Sequence, residues 1–156
     1  MSPLDDTATE ELLRTAGLRS TAPRRAVLQA LEAHPHQTAA GVAELLGDAG
    51  TSMSRQSLHN VLEDLTRTGV LRSIQPAGSA PRYETQVDDN HHHIVCRGCG
   101  AVTDVPCATG RAACLTPAST PGFPVVEHAD ITWWGLCTNC APTDPQNPQQ
   151  KPRRNL

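Results

Sequence analysis

Two C-x2-C motifs constrain this chain more than anything else in it: Cys96-Arg-Gly-Cys99 and Cys137-Thr-Asn-Cys140, with 37 residues between them. Each is a tight turn that aims two sulfurs at one point, and Gly98 and Gly100 ease the first of them. Four thiolates so arranged suit a closed tetrahedral zinc site. The alternative is a pair of redox dithiols, but neither motif lies in a thioredoxin-like strand–helix–strand setting. Zinc here has a structural task. It pins two distant strands together in a chain whose aromatic residues are limited to Phe123, Tyr83, Trp133 and Trp134.

No apolar run approaches the ~20 residues a membrane span needs, and no signal peptide opens the chain. A cytoplasmic protein without membrane partners is expected, where cysteines serve as metal ligands or redox thiols before disulfides. A net charge of −3 excludes a global basic field. Residues 12–83 nonetheless hold eight Lys/Arg against five Asp/Glu, with Arg14, Arg19, Arg24 and Arg25 close together.

The first half of the chain has helical periodicity. "TEELLRTAGL" puts Leu12, Leu13 and Ala16 on one side of a short helix that Gly17 stops. "STAPRRAVLQALEAH" offers Thr21 as a cap, Pro23 in the first turn, and Val27, Leu28 and Leu31 as a stripe. "QTAAGVAELLGDAG" predicts a third helix capped by Thr38, with Gly47 or Gly50 past its end. A fourth, "SRQSLHNVLEDLTRTG", has Ser54 as cap, Leu58, Val61, Leu62 and Leu65 as stripe, and Gly69 as stop. "VLRSI" and "RYETQ" then flank the turn "QPAGSAP" and predict a hairpin. Short helices followed by a hairpin form the pattern of a winged helix-turn-helix, or more blandly of any small α+β bundle. With its stripe facing the core, the fourth helix turns Arg55, Gln56, His59 and Asn60 outward at the end where reading helices touch base edges. Arg, Gln and Asn suit bidentate contacts with guanine or adenine, though exposed polar residues are the rule on any helix.

From residue 84 the chain changes character. "HHHIVC" reads as a strand, in which residues two apart share a face. His91, His93 and Val95 point one way; His92, Ile94 and Cys96 point the other. His91 and His93 therefore face away from the zinc of Cys96, toward a place that either holds a second ion or is a solvated strand start. "GFPVVEHADITWWGLC" carries a strand signal, and Pro106, Gly110, Pro117 and Pro121 keep any helix between short. The Pro/Gln-rich residues 142–156 read as a disordered tail.

In order and spacing, "GLRSTAPRRAVLQAL", "HQTAAGVAELL", the reading helix, "RYET", "NHHHIVCRGCG", "GFPVVEHADITWWG" and the two cysteine motifs resemble the ferric uptake regulator superfamily of bacterial metal-dependent repressors, from about residue 11 to 140. The run from "SRQS" through "IQPAGSAPRYE" to "DNHHHIVCRGCGAVTDVPCA" looks most like the catalase-gene repressors of actinobacteria, on the peroxide-responsive side. The resemblance implies an α+β protein: a winged-helix DNA-binding domain over 1–83, a hinge over 84–90, and a small α/β dimerisation domain over 91–141 with structural zinc on Cys96, Cys99, Cys137 and Cys140. It places a regulatory metal on His36, Glu84, His91, His93 and Asp104. Three imidazoles and two carboxylates without thiolate suit Fe²⁺ or Mn²⁺. Relatives that sense peroxide are thought to lose the metal when a bound histidine is oxidised. Glu at position 84 leans toward iron responders and Asp104 toward the peroxide sensor.

The chain departs from the family's pattern in places. His59-Asn60 stands where relatives have Tyr-Arg, so operator sequence does not carry over. A further metal site that includes His128 in relatives has Arg111 near its acidic position, and His92 reads more simply as solvent-facing. Cys107 and Cys114 are extra to the zinc motifs and are either a reversible disulfide or two free thiols.

The implied protein is a repressor that binds double-stranded operator DNA as a homodimer and controls catalase or oxidative-stress genes. Arg19 and Arg24 would anchor phosphate or minor groove, and Arg55, Gln56, His59 and Asn60 would read the major groove. An iron-, zinc- or nickel-uptake repressor is the nearest alternative. A non-haem iron metalloenzyme is the alternative from another class.

Overall fold

Apolar spacing in the first half of the chain produces α1 (Asp6–Thr15), α2 (Ala22–Ala33), α3 (Ala39–Asp48) and α4 (Arg55–Arg67). The computed structural model describes residues 5–87, 91–106, 119–126 and 131–141. Cys107, Cys114, Arg111, His128 and the tail over 142–156 lie outside them. The chain divides into two units, Met1–Asp88 and Asp89–Leu156.

In the first unit three helices start on a side-chain cap. Asp5 accepts from the Ala8 amide, Thr38 from Gly41 and Ser54 from Ser57. Thr21 corrects the expectation: its backbone is extended as a cap requires, but its side chain makes no capping bond. Pro23 occupies the second helical position and removes one of the two amides such a hydroxyl reaches. The stripes meet in one core of Leu13, Val27, Leu28, Leu31, Val42, Leu46, Leu58, Leu62 and Leu65. Gly69, at φ +72°, ends α4 and turns the chain back, so that Val70 and Leu71 join that core. Leu62 is 1% exposed. Leu62→Ala should lower the unfolding free energy by about 2–5 kcal/mol, read from a urea melt followed by helical circular dichroism.

The expected hairpin is β2 (Arg72–Ile74) against β3 (Arg82–Glu84), with Arg72 opposite Glu84. It is shorter than the sequence suggests because Val70 and Leu71 leave the pattern for the core. A two-residue strand, β1 (Gln37–Thr38), adds to the other side of β3 to give the order β1-β3-β2. Residues after β3 stay with this unit; Thr85 donates its hydroxyl to Glu32 at 2.7 Å.

The second unit is built on β4 (His91–Cys96). Antiparallel β5 (Val102–Pro106) flanks it on one side and parallel β6 (Thr132–Gly135) on the other. The Cys96–Cys99 turn joins β4 to β5, with the Cys96 amide donating to Ala101 at 2.8 Å. The strand signal in "GFPVVEHADITWWGLC" is realised only over Thr132–Gly135 among the described residues. Residues 121–126 begin with a turn, and Phe123, Val125 and Val126 are exposed. Among the described residues no helix is long and apolar enough to cross a membrane.

Candidate metal centres and nucleic-acid interface

The two cysteine turns meet. The sulfurs of Cys96, Cys99, Cys137 and Cys140 all lie within 4.8 Å of one another, and Cys99 and Cys137 are 3.8 Å apart. The amides of Gly98 and Cys137 each donate to Cys96 Sγ at 3.3 Å. Those of Cys137, Cys99 and Gly98 together pull the Cys96 thiol down to about 6. Cys140 is pushed up to about 12, first because its proton is shared with Cys137 and then with Cys99. The two thiols are pushed in opposite directions within the cluster, and a divalent ion would let all four be thiolates. A Cβ on Gly98 would sit 2.7 Å from Cys140 Cβ and 2.8 Å from its sulfur, so the turn closes only on glycine. The composition and closeness of the cluster are those of a structural zinc site.

On β4 the alternation expected from the sequence is realised. His91 and His93 share a face, with their Nε2 atoms 3.2 Å apart and rings edge to face. Asp104 is the residue directly opposite His93 on β5. Its Oδ1 lies 3.4 Å from His93 Nε2 and 3.6 Å from His91 Nε2. With both rings protonated on Nδ1, two nitrogen lone pairs and a carboxylate oxygen converge on one point, a donor set that fits a divalent cation. His92 points to the other face and corrects the solvent-facing reading. It is buried, because β6 brings the Trp133 indole edge-on to its ring at 5.3 Å.

The other two expected ligands belong to the first unit. His36 has φ +62°, the one non-glycine residue with positive φ among those described. Such a backbone costs about 1–3 kcal/mol and persists only where its surroundings fix it. Here the His36 amide donates to the Tyr83 carbonyl at 2.9 Å, and its own carbonyl accepts from Arg82 at 2.9 Å. The result sets His36 Nε2 2.9 Å from Glu84 Oε2, while Arg72 Nε is 3.7 Å from the other oxygen. Glu84 is buried at the end of β3. The five residues expected at a regulatory metal thus fall into a His36–Glu84 pair in one unit and a His91–His93–Asp104 cluster in the other.

On α4, Leu58, Leu62 and Leu65 face the core and Arg55, Gln56, His59 and Asn60 are all exposed. Arg19 is exposed as well. Arg24 is engaged within the fold. Its guanidinium bonds Asp64 Oδ2 at 2.6 Å and the Arg19 carbonyl at 2.9 Å, tying the segment before α2 to α4. The hydrogen bond from Arg24, then that from Arg67, holds the Asp64 carboxyl below its usual range. A depressed carboxylate contributes stability above its unfolded-state pKa and loses it as pH falls through the folded value. Arg24→Gln should therefore lower the melting temperature modestly at pH 7, with the difference from wild type fading below about pH 4.

Residues 15–129 match the ferric uptake regulator family. The chain is 49% identical over 144 residues to transcriptional regulator FurA of Mycobacterium tuberculosis (strain ATCC 25618 / H37Rv), covering 92% of this chain and 96% of that protein. It is 49% identical over 123 residues to ferric uptake regulation protein 1 of Mycolicibacterium fortuitum, covering 79% and 76%. Among solved structures, the ferric uptake regulator from Pseudomonas aeruginosa with manganese superposes with a TM-score of 0.65 at 25% identity, covering 83% of this chain and 98% of that one. These relatives are named regulators, not enzymes, which sets the metalloenzyme reading aside.

Proposed function

Because the chain belongs to the ferric uptake regulator family, whose members are transcriptional regulators, we propose that it is a cytoplasmic, metal-dependent, peroxide-responsive repressor that binds operator DNA as a homodimer and controls catalase or other oxidative-stress genes. The observation that carries this reading is the pairing of two chemically distinct donor sets on β4: soft sulfurs around Cys96, and imidazoles with a carboxylate around His93. Zinc suits the first; Fe²⁺ or Mn²⁺ suits the second.

In this reading His36, Glu84, His91, His93 and Asp104 hold the regulatory ion, as the family resemblance implies. When bound, the ion supplies a link that favours the DNA-binding conformer, and as Fe²⁺ it also supplies the redox reactivity toward peroxide. The strained backbone of His36 keeps its ring aimed, and the Arg72 cation steadies Glu84. Arg55, Gln56, His59 and Asn60 enter the major groove and Arg19 meets phosphate. Arg24 acts by holding α4 in place. Exposed Ile94 and Trp133, directly paired on one face of the sheet, offer apolar area suited to burial in the homodimer.

A duplex of about 20–30 base pairs, long enough for two half-sites, should be shifted by the protein with Mn²⁺ and released by chelator. Equal binding to random DNA with and without metal would refute the switch. Peroxide applied to the Fe²⁺-loaded protein should add oxygen to His36 or His91, read by mass spectrometry. Loss of two hydrogens across Cys107 and Cys114 instead would move sensing to the thiols. An iron-responsive repressor is the second reading, favoured by Glu84 and by the name of the Mycolicibacterium relative.

A further inference from the structure

Asn60 lies on the exposed face of α4, and its side chain is not independent of its neighbours. Gln56 Nε2 donates to Asn60 Oδ1 at 2.8 Å, one turn further along the helix. We propose that Gln56 and Asn60 form a coupled amide reader that selects adenine at one position of each operator half-site; the inference rests on the repressor reading above.

Each amide has a carbonyl acceptor and an NH₂ donor group. The internal bond uses one of the two hydrogens on Gln56 Nε2 and one of the two lone pairs on Asn60 Oδ1. The groups that take no part in it are the Gln56 carbonyl and the Asn60 NH₂. Flipping both amides exchanges the ends and again leaves one carbonyl and one NH₂ outside the bond. In the major groove adenine offers N6–H as donor and N7 as acceptor, the complement of that couple. Guanine offers two acceptors, O6 and N7, and would set O6 against the amide carbonyl. The internal bond also fixes two side chains before DNA arrives, so less rotamer freedom is lost on binding. Arg55 and His59 lie on the adjacent exposed ridge toward α3, where Ala39, Ala40 and Ala43 line a cleft with them. They are therefore separate from the amide couple in what they touch.

The test uses the full chain loaded with Mn²⁺ and a pool of duplexes with a randomised core. Wild type should enrich a sequence with an invariant adenine in each half-site. Replacing that base by guanine, or by 7-deazaadenine, which lacks the N7 acceptor, should weaken wild type on the order of tenfold. Gln56→Ala and Asn60→Ala should each bind the adenine and 7-deazaadenine duplexes equally, and the double variant should be little worse than either single one, as a coupled pair requires. Both positions are exposed, and thermal melts of the variants should match wild type. Enrichment by wild type without an adenine that these variants lose would overturn the inference and leave the repressor reading intact. No enrichment over the starting pool would overturn both.

Discussion

Cys137→Ser should empty the thiolate site and dismantle the β5-β4-β6 sheet while the helices of the first unit survive. The expectation follows from what else holds that sheet. Among its described residues only Val95 and Cys96 count as buried apolar groups, against eleven in the helical core. Packing of that size does not offset the conformational entropy of ordering three strands. Structural zinc in small metal-folded domains contributes roughly 10–16 kcal/mol, enough to do so. Zinc content by atomic emission should fall to near zero, and thermal denaturation should lose its second-unit transition. Gly98→Ala should behave similarly with every sulfur in place, because its methyl would occupy the space of Cys140. A Cys137→Ser protein with an unchanged melt would show that the sheet stands without the ion.

His93→Ala should abolish metal-dependent operator binding while zinc and fold are retained. His93 lies 3.2 Å from His91 and 3.4 Å from Asp104, so its removal leaves this cluster with one imidazole and one carboxylate. Loss of groups that merely support a ligand costs 10–100-fold in affinity or activity; loss of the ligand itself should reach at least about 100-fold in Mn²⁺ response. The readout is a gel shift across a Mn²⁺ titration, beside zinc content. His92→Ala is the matched control on the opposite face. It gives up the Trp133 contact and should keep the Mn²⁺ response. A His93→Ala protein that answers Mn²⁺ as wild type does would remove this cluster from the switch.

Much of this was legible in the residues because the signals were local. Helix caps, stripes and stops act within one or two turns, so Thr38, Ser54, Gly69 and the exposed quartet on α4 could be placed directly. The cysteine spacing and the strand alternation were equally local. What escaped depended on pairing across the chain. Nothing in "QT" announces β1, which exists because β3 offers an edge beside it. Asp104 was reachable only through the family resemblance, although the cysteine turn carries the missing information. Once Cys96 is bonded to Ala101, counting outward pairs Val95 with Val102 and His93 with Asp104. Arg24 looked like a free cation in a basic cluster because its partner, Asp64, lies 40 positions away. His92 looked solvated because the strand bearing Trp133 is far along the sequence.

The six residues of β4 leave no freedom to slide. The imidazoles of His91 and His93 and the sulfur of Cys96 occupy opposite sides of one extended hexapeptide, so a single codon added or lost between His93 and Cys96 would transpose one set onto the other's side. Two codons would restore the sides. Homologous chains should therefore keep this spacing fixed or change it in even steps, while the stretches between the strands vary in length.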